Sequence, residues 1–240
     1  MYRTTFGVAA LAALFAIPAA YAETYDHQGF SIGANAINLD TTFDYTNADK
    51  PDNDLQAFVG TIELGYDHQF ELGGVDIVAG VSYETMVTSD QSTEISYNGN
   101  YITNQDTLTG FDAWKLRAGL AFGNLAVFGV YGQAHRSGHL DQYCPPDWNA
   151  VVAGFCRAGG NAVIADQREG LSRGSYDDDA PIYGVQIEWN FNENVSLNLG
   201  WEQIEWDAQT VAYDPDPAIV PPTTFNSEYD MVRIGLRYRF

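Results

Sequence analysis

MVRIGLRYRF, residues Met231–Phe240, decides how the rest of the chain is read. Val232, Ile234, Leu236, Tyr238 and Phe240 alternate with Arg233, Gly235, Arg237 and Arg239, a period of two that gives a strand one apolar and one basic face. A soluble edge strand has no reason to finish on an aromatic residue. The last strand of a bacterial outer-membrane barrel does, because its apolar side chains meet lipid and its aromatics sit at the headgroup girdle. The ending therefore predicts a transmembrane β-barrel, an expectation the remaining residues must meet.

The other end fits an exported chain. Residues 1–22 carry Arg3, an apolar run from Phe6 to Ile17, Pro18 and the small-x-small exit Ala20-Tyr21-Ala22, the layout of a cleaved signal peptide. That run is too short to span as a helix, and nowhere later do 18 consecutive apolar residues occur. The expected mature chain, 23–240, is a single barrel domain without a lipoprotein cysteine at its start. With 32 acidic against 11 basic residues and a net charge of −21, a nucleic-acid partner is excluded. A mean hydropathy of −0.22 excludes a helical membrane protein but not a barrel, whose strands are apolar on one face only.

Eight segments alternate: 29–39, 57–69, 75–87, 111–122, 125–134, 181–191, 195–206 and 229–240. The connections 71–74, 123–124 and 192–194 are tight, whereas 40–56, 88–110, 135–180 and 207–228 are long and polar. That regular succession predicts an all-β fold, an eight-stranded antiparallel up-and-down transmembrane barrel with short periplasmic turns and four long extracellular loops. The third of these loops is expected at about 135–180. A secreted β-sandwich would not sort its loops in this way.

Faces follow from the alternation. Phe30, Ile62, Leu64, Val81, Trp114, Leu116, Val185, Trp189, Leu199 and Trp201 fall on the lipid side, while segment 125–134 is apolar or small on both faces and leaves its phase open. Tyr66, Phe122, Phe191, Tyr238 and Phe240 are expected to share one height as a periplasmic girdle. The opposite phase collects Glu63, Asp67, Asp76, Glu84, Lys115, Arg117, Glu188, Glu202, Arg233, Arg237 and Arg239. Slipping the register by one residue would turn Arg233 and Arg237 to lipid, at about 2–4 kcal/mol each near the midplane. An eight-stranded interior is filled by side chains, so these charges are expected to pair as an ionic plug, with Glu202 and Arg233 meeting first. A charge-lined conduction path is the alternative reading of the same residues.

The stretches AWKLRAGLAFGNLAVFGVYGQA (113–134), YGVQIEWNFNENVSLNLGWEQIEW (183–206) and MVRIGLRYRF resemble the small OmpA-like, opacity-type outer-membrane barrels of Gram-negative bacteria. The resemblance covers the strands and the signal peptide. It implies insertion by the barrel-assembly machinery, which in that family reads the terminal aromatic strand, here Tyr238 and Phe240. It implies a scaffold and no particular activity.

Function is thus expected in the loops. Cys144 and Cys156, an even pair in an exported chain, are expected to form a structural disulfide, since these two alone offer too few ligands for a metal site. Asp40, Asp44, Asp49, Asp52, Asp54, Asp177, Asp178, Asp179, Asp214 and Asp216 make the loops acidic but without the ligand order of a calcium loop. Divalent cations bridging them to lipopolysaccharide phosphates are a hypothesis at this stage. His135-Arg136-Ser137 looks like the His-x-Ser motif of outer-membrane lipid A deacylases, but position 147, where that family has an orienting glutamate, is Asp147. His27, His68 and His139 have no metal-ligand spacing, and no cofactor is expected. The reading is a non-enzymatic outer-membrane barrel for envelope structure and surface interaction, touching outer-membrane lipid, lipopolysaccharide and an extracellular surface or ligand. A narrow porin is the alternative, and a lipid A-modifying hydrolase a more remote one.

Overall fold

Two positive-φ glycines, Gly73 and Gly74 (φ 62° and 83°), join strands at Leu72 and Val75, and Gly123 (φ 63°) starts the two-residue turn between Phe122 and Leu125. Two-residue hairpins need left-handed backbone, which glycine adopts without a Cβ penalty. At the third turn the Asn192 side chain accepts from the amides of Asn194 (2.9 Å) and Val195 (2.8 Å), closing the bend without glycine.

The structure, a computed structural model, describes residues 26–45, 53–92, 103–143, 172–212 and 222–240. Its strands are β1 (Gly29–Tyr45), β2 (Asn53–Leu72), β3 (Val75–Met86), the two-residue β4 (Gln91–Ser92), β5 (Thr103–Phe122), β6 (Leu125–Tyr143), β7 (Ser172–Asn190), β8 (Val195–Val211) and β9 (Thr223–Arg239). Each pairs antiparallel with its chain neighbour, and β4 continues the line of β3 against β5. β1 pairs with β9 from Ser31↔Arg239 to Tyr45↔Phe225, which closes the ring of eight long strands. Closure leaves no open edge in the membrane-spanning part, where unpaired backbone would face hydrocarbon.

All the long strands but β3 run beyond the expected segments at their extracellular ends. β5 begins at Thr103 rather than 111, and β6 continues to Tyr143 rather than 134. β7 begins at Ser172 rather than 181. Residues 135–143 and 172–180 of the expected third loop are therefore ladder, and 144–171 lie outside the described residues.

The cause is an inversion of hydropathy along each strand. Near the turns the outward residues are apolar and the inward ones charged: on β9, Val232, Ile234, Leu236 and Tyr238 face out, while Arg233, Arg237 and Arg239 are buried within. Above Met231 the side chains keep their alternation but the apolar ones move to the inward phase, so that Phe225, Tyr229 and Met231 are buried and Glu228 and Asp230 are exposed. The same exchange follows Trp114 on β5, Tyr183 on β7 and Trp201 on β8. The nine residues from Val232 to Phe240 rise roughly 20–25 Å at barrel tilt, the height of the apolar band of an outer-membrane barrel. The lower half is thus an inside-out barrel in lipid. The upper half is built like a soluble protein, with an apolar core of Ile37, Leu39, Val59, Leu108, Phe111, Ile182, Ile204, Trp206, Tyr229 and Met231.

The lipid-side residues expected from the alternation do face outward, Trp114 at 61% and Phe240 at 76% exposure among them. Segment 125–134, left open by the sequence, places Ala126, Phe128 and Val130 inside and Tyr131 outside. Phe30 packs tilted against Tyr66 at 4.9 Å and Tyr238 edge-to-face against Phe240 at 5.1 Å, on the outer wall at the turn end.

Candidate functional site

Inside the membrane-spanning half, Glu63, Asp67, Glu84, Glu188 and Glu202 face Lys115, Arg117, Arg233, Arg237 and Arg239, all nearly fully buried. Asp76, expected with them, stands one residue from a turn and is only partly buried, which leaves five carboxylates balanced by five cations. Nearest the turns, Glu188 accepts from Arg117 (3.0 Å), Arg237 (3.0 Å) and Arg239 (2.5 Å). Arg117 also grips Asp67 through Nε (2.8 Å) and Nη2, and its guanidinium lies 4.3 Å above the Phe128 ring.

One layer higher, Arg233 binds Glu202 at 2.8 Å and Glu84, and Lys115 Nζ meets Glu84 at 2.5 Å and Glu202 at 3.4 Å. Glu63 joins the layers, bonded to Arg237 at 2.7 Å below and to Arg233 at 3.3 Å above. Neutral donors complete the set: Gln186 to Glu202 (2.7 Å), Asn35 to Glu84 (3.0 Å) and the Thr61 hydroxyl to Glu84. The Glu202–Arg233 contact runs diagonally, since Arg233 registers with Gly200 and Glu202 with Met231. A Cβ at Gly200 would come within 2.9 Å of the Arg233 side-chain methylenes, so glycine here makes room for that arginine. His27 caps the lower end, buried, with Nδ1 3.8 Å from Glu188 and its amide donating to Gln69 (2.8 Å).

Above this network the lumen is closed by the apolar core, and above that by Arg136. Arg136 comes from the β6 segment read in the sequence for its neighbours, yet it is the residue that points in. It binds Asp178 through Nε (2.7 Å) and Nη2 (3.1 Å), and its Nη1 donates to Ser227 (2.6 Å) and Tyr229 (3.0 Å). Its guanidinium lies 4.2 Å over the Trp206 ring, with Tyr176, Tyr229 and Phe225 around it. Beside it Asp106 accepts from the Tyr176 hydroxyl (2.8 Å), and burial pushes its carboxyl up to about 7. The sequence reading missed this chamber; the aromatics at 176, 206, 225 and 229 on successive strands were its signal.

His135 and Ser137 face outward on β6 and turn away from each other. His135 Nδ1 lies 3.1 Å from Asp179 and Nε2 lies 3.7 Å from Asp177, so both ring nitrogens meet carboxylates of β7. Ser137 Oγ is 3.4 Å from Thr109 on β5. Asp179 thus supplies the orienting carboxylate absent at 147, but His135 bonds towards β7 and Ser137 towards β5, and among the described residues no hydrogen bond joins the two. Among the described residues no group of three or more His, Cys, Asp or Glu is arranged to hold a metal. Cys144 and Cys156 lie outside the described residues, as do residues 1–25 and Asp49, Asp52, Asp214 and Asp216. Asp40, Asp44, Asp177, Asp178 and Asp179, read as loop residues, belong to β1 and β7.

A closed ring of tilted antiparallel strands, apolar outside and ionic within at membrane height, defines an integral transmembrane β-barrel of the bacterial outer membrane. The chain belongs to the outer membrane protein beta-barrel domain family, which it matches over residues 7–240. Solved structures similar to it include Ail, the attachment invasion locus protein of Yersinia pestis, in complex with the heparin analogue sucrose octasulfate. That likeness has 12% identity over 89% of this chain and 99% of Ail, with a TM-score of 0.45. Neisserial surface protein A has 10% identity over 88% of this chain and 97% of its own, TM-score 0.39. The outer membrane protease OmpT from Escherichia coli has 7% identity over 88% and 97%, TM-score 0.44. No curated protein matches the sequence.

Proposed function

We propose that the protein is a non-enzymatic envelope barrel whose working surface is the carboxylate-rich extracellular wall, and that its lumen conducts nothing. The observation that carries this reading is the sealed interior: a charge-balanced ionic network below, an apolar core above it, and Arg136 wedged among aromatics on top. An ion crossing it would have to part salt bridges and then cross a dry layer, which costs far more than a narrow porin can allow. Purified folded protein in a planar bilayer is expected to give a silent baseline. Discrete openings would overturn the sealed-lumen reading in favour of the narrow porin.

Above the lipid boundary the outer wall presents exposed Asp40, Asp44, Asp177, Asp179, Glu205, Asp207, Glu228 and Asp230. Ail was solved with a polysulfate, but this wall has the wrong sign for one; it suits cationic partners, and lipopolysaccharide phosphates only through bridging divalent cations. Tyr238 and Phe240 serve as the signal for the barrel-assembly machinery, and Cys144 with Cys156 as a disulfide that stiffens the loop between β6 and β7. Catalysis is left out because no hydrogen bond joins His135 to Ser137 among the described residues. Replacing Ser137 with Ala is expected to leave the acylation of lipid A unchanged.

A further inference from the structure

β7 and β8 pair from Asn190↔Ser196 up to Ile182↔Ile204, and among the described residues the ladder stops there. Both strands continue, β7 to Ser172 paired with β6 and β8 to Val211 paired with β9. The wall is therefore split on its extracellular half. The first residue past the ladder on β7 is Pro181, which has no amide hydrogen to give. Beyond it, continuing the same register would set exposed Asp179 on β7 against exposed Asp207 on β8, like charges that oppose pairing. The register shift between Trp206 and Gln209 breaks the regular spacing of β8 at the same height.

Among the described residues, side-chain contacts join the two strands around the end of the ladder. Gln209 Nε2 donates to the Asp177 carbonyl at 3.3 Å, Tyr183 OH donates to Glu205 at 3.0 Å, and Arg136 ties Asp178 to Trp206 from within. In an antiparallel sheet alternate residues direct their N–H and C=O to opposite neighbours, so half of those between Ser172 and Ala180 point into the seam.

From this geometry we infer that the β7 edge at the seam is a docking site for an extended basic peptide, which adds to β7 as a strand. The inference rests on the surface-interaction reading and gives it a place and a partner chemistry. Backbone bonds to β7 supply affinity, and lysines or arginines at alternate positions face Asp177 and Asp179. Docking follows β7 and not β8, because the irregularity at Trp206–Gln209 leaves β8 without a regular row of acceptors. The floor stays shut, since Arg136 seals the lumen beneath.

The test uses the full folded chain in detergent micelles and a synthetic peptide of about ten residues alternating lysine and valine, near the usual length of a strand. Two further versions carry N-methyl groups on every second residue, one in each phase. The parent peptide and one methylated phase are expected to bind, and the other phase about tenfold more weakly or not at all, because it lacks the donors that face β7. Binding should slow amide exchange at 172–180, and Asp177→Asn with Asp179→Asn should weaken it. Equal binding of both methylated phases, or slow exchange of every amide at 172–180 in the free protein, would overturn the seam. Binding that protects no amide of β7 would also overturn it, while leaving the acidic wall as a cationic surface. Failure of every lysine peptide would sink both readings.

Discussion

Glu188 holds three arginines in a space closed to water, and its loss would leave Arg117, Arg237 and Arg239 repelling one another. Breaking a buried ion set by removing one member costs about 3–5 kcal/mol, whereas an apolar replacement of both sides can be neutral. Glu188→Gln is therefore expected to lower the free energy of unfolding by that amount, read as a lower urea midpoint at unchanged slope. Adding Arg237→Met should restore part of it; a single variant as stable as the parent would mean that the network contributes little. Asp106 works in the opposite sense. Its carboxyl sits at about 7 in the folded protein against 3.8 when free, so the folded form binds the extra proton. Stability of the upper barrel should rise as pH falls from about 7 towards 4, by a few kcal/mol at most. Asp106→Asn should flatten that profile, and an unchanged slope in thermal melts would assign it to another group.

At the scale of the strand, the decisive property is the exchange of faces at Met231-Val232 and its counterparts. It explains both what could be read from the sequence and what could not. Within the membrane the alternation is long and carries charges on one face, so the eight segments, the faces of all but 125–134 and the ten ions of the network, with Asp76 wrongly added, were legible from MVRIGLRYRF outward. Past Met231 the same strand inverts its pattern, and a reader following one phase sees a break and places a loop. Hence β5, β6 and β7 were cut short, and Asp177–Asp179 were assigned to a loop rather than to a strand edge. Arg136 was hidden for the same reason: its neighbours His135 and Ser137 carry the recognisable motif, and only the cross-strand register shows that the residue between them points inward. Two substitutions locate the exchange. Ile234→Arg, below it and outward, is expected to cost about 2–4 kcal/mol, while Asp230→Arg, above it and outward, should stay within about 0.5 kcal/mol of the parent or stabilise by relieving the Asp40–Asp230 repulsion. Equal penalties would place the membrane boundary elsewhere.

For the whole molecule, closure through β1 and β9 implies a barrel that resists unfolding by detergent. An unboiled sample should migrate on a denaturing gel apart from a boiled one. Identical migration would count against a closed ring of strands. The two halves should also answer denaturant differently, the lower half held by lipid and ion pairs, the upper by ordinary hydrophobic burial.

The inversion also acts as a waterline. Sinking the barrel by two residues would drag Asp230 and Gln203 into hydrocarbon, and raising it by two would bare Val232 and Trp201 to water. Both displacements are opposed all round the circumference, so the barrel has one depth and a stiff restoring force about it. A pull on the extracellular wall is then passed to the membrane instead of being absorbed by sliding, which makes the barrel a mechanical mooring for whatever its surface holds.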